Sequence, residues 1–204
     1  MGGHATHIDP NKPLEYQSET GRLNILGFWI FLGAEIALFG TLFAAYFVLT
    51  GRIADGPPPE ELFELKGVLI ETFLLLTSSF TCGIAIHEMR RRSVPGLMIW
   101  FILTLLLGYG FVFFEIREFI AYVHEGASLQ TSGYWTSFFT LLGTHGLHVT
   151  MGTFWMISIL IQIAVRGLSP ATAKKAFVVS LYWHFLDVVW IFIFTTVYLM
   201  GMVM

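Results

Sequence analysis

The chain has 204 residues, 55% hydrophobic and only 12% charged. A soluble domain carries about 25% charged residues, so this composition describes a polytopic membrane protein. The net charge of -3 is too small to argue for any partner, the lack of a basic stripe leaves nucleic-acid binding without support, and the single cysteine, Cys82, excludes an internal disulfide and any Cys-x-x-Cys metal or haem-attachment motif.

The first 22 residues form a polar tail, expected to be cytoplasmic, in which His4 and His7 are read as solvated. The tail has no apolar core segment of the kind a cleavable signal peptide needs, so export is expected to be directed by the first span. Five apolar runs follow, at about 23–50, 67–87, 95–123, 134–165 and 173–201. Each exceeds the roughly 20 residues that a helix needs to cross the hydrocarbon core. The expected class is therefore an all-α membrane protein with five transmembrane helices in residues 23–204. The breaks carry turn residues: Gly51 through Pro59, Arg90-Arg91-Arg92 with Pro95, Glu125 to Gly133, and Gly167 to Pro170.

In the first span, Gly33, Ala37, Gly40 and Ala44 share one small-residue face suited to close helix packing. Glu35 falls on nearly the opposite side. If the small face packs inside the bundle, Glu35 points to lipid, a cleft or another subunit. The second span aligns Glu71, Ser78 and Cys82. The third places Glu115, Glu118 and Tyr122 together, below Gly108 and Thr104. The fourth carries His145 and His148, continued by Gly152. The fifth carries Ser180, His184, Asp187, Thr195 and Tyr198 on one stripe.

The basic residues set an orientation. Lys12, Arg22, Arg90, Arg91, Arg92, Arg166, Lys174 and Lys175 fall on one side, against Arg52, Lys66 and Arg117 on the other. The positive-inside rule then places the N-terminus in the cytoplasm and the C-terminus outside. Arg90-Arg91-Arg92 reads as a topology determinant with contact to anionic lipid as a secondary role.

At about 1.5 Å per residue, Glu35, His145, His184 and Asp187 lie roughly 15–20 Å deep. An aspartate at mid-membrane costs roughly 2.5–3.5 kcal/mol on insertion scales, so partners must compensate. His145-x-x-His148 and His184-x-x-Asp187 have metal-ligand spacing. The favoured reading is an interhelical hydrogen-bond network joining the last two helices. No Glu-x-x-His pair or denser histidine cluster accompanies them. Glu35 is either a proton carrier or a packed or lipid-contacting acid. Glu115 and Glu118 read as structural acids near the outer interface, paired with Arg117 or a lipid amine.

These motifs resemble subunit III of the haem-copper terminal oxidases. The resemblance is carried by Gly143-Thr144-His145-Gly146-Leu147-His148-Val149 with Gly152, and by Tyr182-Trp183-His184-Phe185-Leu186-Asp187-Val188-Val189-Trp190 followed by Tyr198 and Gly201. Leu32-Gly33-Ala34-Glu35-Ile36-Ala37-Leu38-Phe39 resembles the segment that holds the family's carbodiimide-reactive carboxylate, and Glu115 matches a family acid. Many members have seven helices. Five, with the run from Glu15 to Gly27, are most similar to the quinol oxidase branch of the Gram-positive, haem-a-containing menaquinol type.

The resemblance implies a non-catalytic subunit of a proton-pumping quinol oxidase in the bacterial plasma membrane. Haem and copper would belong to subunit I, where quinol is oxidised and oxygen reduced to water. No cofactor is expected in this chain. Subunit I would be the direct partner, with subunits II and IV further members and phospholipid bound in a cleft. Glu35 and Glu115 would be cleft or proton-related residues, and His145, His148, His184 and Asp187 a structural polar network. Two rival readings remain. One is a proton-coupled transporter using Glu35 and Asp187. The other is a membrane enzyme that binds haem or metal through His145, His148 and His184.

Overall fold

A computed structural model describes residues 12–17, 19–53 and 56–202. His4 and His7 lie outside the described residues. The elements are a short 3-10 turn (Leu14–Tyr16), then α1 (Glu19–Leu49), α2 (Pro59–Leu62), α3 (Leu65–Arg90), α4 (Val94–His124), α5 (Gly133–Arg166) and α6 (Pro170–Ile193), which continues as a π-helix over Phe194–Leu199. Five of these helices are long and apolar enough to cross a membrane. Among the described residues there is no strand.

Local chemistry marks the helix ends. Ser93 caps α4 by accepting the Gly96 amide at 3.3 Å, and Ser132 caps α5 through the Trp135 amide at 3.2 Å. At α6, Ser169 and Thr172 form a reciprocal capping box with Pro170 in the first turn. Gly167 ends α5 with φ 70°, a backbone state that a side chain would disfavour.

α3 and α4 form an antiparallel hairpin, α5 packs on α4, and α6 lies against α1, α3 and α5. The largest fully buried side chains include Trp135, Trp183 and Trp190. Trp183 fits a notch between two glycines. A Cβ on Gly108 would stand 2.7 Å from its Cη2, and one on Gly152 would stand 3.3 Å from its Cζ3. At one end of the bundle, Phe63, just after α2, stacks on Phe138 with ring centres 5.4 Å apart and sits 5.0 Å from Tyr198.

The tail is partly built into the fold. Leu14 and Glu15 are buried, and Tyr16 meets Phe177 of α6 edge-on at 5.8 Å. Arg90 donates to Glu15 Oε1 at 2.9 Å and sits 5.9 Å from the Phe177 ring. The arginine read as a topology and lipid residue is thus also a clamp on the tail.

Candidate functional site: the polar network between the helices

α1 reverses one sequence expectation. Its inward face is Ile25, Leu32, Phe39 and Tyr46, all buried, with Glu35 half-buried beside them. Gly33, Ala37, Gly40 and Ala44 are exposed, and nothing lies within 4 Å of a Cβ built on Gly33 or Gly40. Large side chains win this face because they reach across to α5 and α6, where Phe39 meets His148 at 5.3 Å and Phe185 at 6.2 Å.

Glu35 therefore points into the bundle. Its Oε2 lies 3.1 Å from Nε2 of His148 on α5. The other nitrogen, Nδ1, faces the Thr144 carbonyl at 2.7 Å. A carbonyl only accepts, so Nδ1 carries a hydrogen and donates. In a neutral ring Nε2 is then an acceptor, and an ionised carboxylate is also only an acceptor. The 3.1 Å contact consequently needs one shared proton, on the acid or on the imidazole. Tyr182 donates to the His148 carbonyl at 3.2 Å, tying α6 to the same place.

His145 is fully buried and does something different. Its Nε2–H donates to the Leu186 carbonyl of α6 at 3.2 Å. Its ring lies among Phe111 and Trp190 at 5.8 and 5.4 Å, and Nδ1 has no hydrogen-bond partner. This is a joint between α5 and α6.

The His184-Asp187 pair does not meet His145 or His148. His184 Nδ1 pairs with Ser79 Oγ of α3 at 2.7 Å, and Asp187 lines the same groove between α3 and α6 as Ser79. The last helix is thus locked to the second span at this point. Two indoles extend the joint: Trp183 Nε1–H donates to Ser78 Oγ, and Trp190 Nε1–H donates to Thr72 Oγ1, both at 3.0 Å. Thr195 leaves the stripe. It is exposed and bonds back to the Ile191 carbonyl at 2.8 Å, inside the π-helical turn where 3.6-residue counting no longer holds.

Tyr198 is buried and donates to Glu118 Oε2 at 3.0 Å, and Tyr122 donates to the other oxygen of Glu118. Glu71 of α3 lines the same cavity as Glu118, of about 280 Å³. Glu115 is buried above Gly146 of α5, where a Cβ would stand 2.8 Å from its carboxyl carbon. Arg117, the expected partner of these acids, instead lies 6.0 Å from the Phe113 ring. For Glu118 the tyrosine donors replace it.

The metal reading of the histidines does not fit this geometry. The three imidazoles engage a carbonyl, a carboxyl and a serine on three different helix pairs. Among the described residues, no three His, Cys, Asp or Glu side chains converge as a metal site. The residues sequence reasoning missed are Ser79, Thr72 and Glu15. A serine or threonine in an apolar helix signals only that some partner exists.

A bundle with five membrane-capable helices held by interhelical polar joints is the setting for the family match. The family model for cytochrome c oxidase subunit III matches residues 18–202, and the chain belongs to that family. Among individual relatives it is 70% identical over 199 residues to the quinol oxidase subunit 3 of Bacillus spizizenii, covering 98% of each chain. It is 69% identical to that of Bacillus subtilis over the same length. The probable quinol oxidase subunit 3 of Staphylococcus saprophyticus is 59% identical over 191 residues, 93% of this chain and 95% of the relative.

Proposed function

We propose that this chain is the non-catalytic third subunit of a quinol oxidase. The observation that carries the proposal is the 70% identity to a relative of that name across 98% of both chains. Quinol would be oxidised, and oxygen reduced to water, in subunit I, which would hold the haem and copper. This chain would stabilise that subunit from its side, with subunits II and IV as further members of the complex. The location would be the bacterial plasma membrane. The count of basic residues argues for a cytoplasmic tail ahead of residue 23 and a C-terminus outside.

Within that role, the four mid-depth residues divide the work. His145 would hold α5 to α6, and His184 with Asp187 would hold α6 to α3. Glu35 and His148 would hold α1 to α5 while storing one exchangeable proton, which supports a part in proton uptake. Glu115, buried beside Gly146, would be structural or proton-related. The apolar hollow beside Trp155, lined by Phe28, Phe31, Met151, Phe154 and Tyr182, has the character of an acyl-chain site for phospholipid.

The test is purification through an affinity tag on this chain in mild detergent. Co-purification of a large haem-copper subunit with quinol-dependent oxygen consumption is the expected result. A haem band or stoichiometric metal in the separated chain would overturn the proposal.

A further inference from the structure

Two acids share a cavity at one end of the bundle, and neither pairs with a cation. The cavity, of about 280 Å³, lies where α3 begins and α4 ends, and is lined by Glu64, Glu71, Arg117, Glu118, Tyr122 and Glu125 among others. One water needs roughly 10–15 Å³ of such space, so there is room for several. Glu71 stands about 9 Å along α3 from its first residue, Leu65, at about 1.5 Å per residue. It is only 1% exposed, and its Oε2 has no hydrogen-bond partner. Ion pairs among the described residues are made by Glu15, Glu35 and Glu88, and none by Glu71 or Glu118. Arg117 is exposed and turned to the Phe113 ring.

The two acids are served unequally. Glu118 accepts from Tyr122 at one carboxyl oxygen and from Tyr198 at the other, an environment that suits an ionised carboxylate. Tyr198 reaches it from the π-helical turn Phe194–Leu199, and such turns are frequent at functional sites. Glu71 Oε2 receives no donor at all. Two carboxylates that share a site do not both ionise, and a buried charge short of donors is strongly disfavoured. The neighbouring elements bring no positive charge. Glu115 of α4 is pressed against Gly146, and the first turns of α5 bring only Tyr134, which pairs with Tyr46 of α1 at 3.3 Å. A proton on Glu71 is what balances the pair.

We propose that Glu71 and Glu118 form a proton-binding dyad at the floor of this cavity. Glu71 carries the proton, its O–H donates to the Glu118 carboxylate, and the two tyrosines hold that carboxylate in place. On loading, a hydronium ion in the cavity gives its proton to Glu71 and leaves as water. On release, the Glu71 O–H bond breaks and a cavity water takes the proton. Under the orientation proposed above, the exchange is with the outer side. This site goes beyond the oxidase reading and is separate from the proton shared by Glu35 and His148.

The test is infrared difference spectroscopy on the complex purified through this chain at neutral pH. The wild type minus Glu71→Gln should show the C=O stretch of one protonated carboxyl, and that band should shift in heavy water. Glu35→Gln should leave the band in place, which separates it from the deeper proton. A difference spectrum without the band would overturn the proposal, and so would a band that heavy water does not move, since its proton would be sealed from the cavity. Calcium is the probe for a metal occupant. Loss of the band on adding calcium, but not choline, would show a cation site and also overturn the proposal. Glutamine keeps the size of Glu71 and can donate its amide N–H to Glu118, so the variant should assemble. If it does not, Glu118→Gln decides: the Glu71 band should change frequency when its acceptor becomes an amide, and an unchanged band would count against the dyad. Failure of any haem-copper subunit to co-purify with the unmodified chain would instead overturn the proposed function.

Discussion

Glu35 and His148 are 113 residues apart in sequence and 3.1 Å apart in space, and their contact requires one proton between them. Because Nδ1 of His148 is committed to the Thr144 carbonyl, the proton can sit only on Nε2 or on the acid. A glutamine at position 35 can donate its amide hydrogen to the neutral ring. Glu35→Gln should therefore assemble and melt like the wild type while losing the exchangeable proton. Glu35→Ala should cost about 1–2 kcal/mol of complex stability, the range for an interhelical hydrogen bond in a membrane. A thermal-unfolding double-mutant cycle with His148→Ala checks the pairing. Strictly additive losses would show that the two residues do not interact.

The number of helices long and apolar enough to cross a membrane was legible in the sequence because length and hydropathy alone decide it. So was the existence of buried polar positions at mid-depth. Direction was not. The small-residue face of α1 follows a sound packing rule, but the rule does not know that Leu32, Phe39 and Tyr46 fill the space over α5 and α6. Nor could the sequence pair His184 with Ser79, 105 positions away, since one serine among apolar neighbours looks like any other. The π-helical turn that turns Thr195 outward leaves no local mark either.

Glu118 accepts from Tyr122 and Tyr198 on two helices, so its carboxyl is a hub rather than a charge partner for Arg117. Glu118→Gln should be tolerated, because the amide oxygen still accepts from one tyrosine and the amide N–H can donate to the hydroxyl oxygen of the other. Tyr122→Phe or Tyr198→Phe should each lower stability by about 1 kcal/mol, the usual weight of a lost hydrogen bond. The Tyr122→Phe/Tyr198→Phe pair should lose more than either. Denaturation of the detergent-solubilised complex checks this. A Glu118→Gln variant weaker than the double tyrosine variant would contradict the hub.

The tail clamp makes a local prediction. Glu15 is buried and Arg90 is half exposed, so removing Arg90 strands a buried acid while removing both leaves nothing unpaired. Arg90→Ala should speed amide hydrogen exchange over Leu14–Tyr16. Glu15→Gln should do so less, because a glutamine oxygen can still accept from Arg90. Mass-spectrometric exchange on the intact complex reads the difference directly. Equal exchange in the Arg90→Ala variant and the wild type would mean that the Tyr16–Phe177 contact holds the turn alone.

The Trp183 notch gives the steepest steric prediction. Trp183 is 1% exposed and is pinned by its hydrogen bond to Ser78, so it cannot swing away from a methyl group on Gly108. A Cβ there would meet two ring carbons at 2.7 and 2.8 Å. Overpacking of that kind costs typically about 1–3 kcal/mol. Gly108→Ala should lower the unfolding midpoint by that amount, and Trp183→Phe in the same chain should recover part of it by shortening the ring. Gly33→Ala, on the open face of α1, should be neutral or slightly stabilising in the isolated chain, since alanine is the better helix former and meets nothing. A Gly108→Ala chain as stable as Gly33→Ala would show that α4 and α6 can separate without penalty, against the close packing on which the bundle is built.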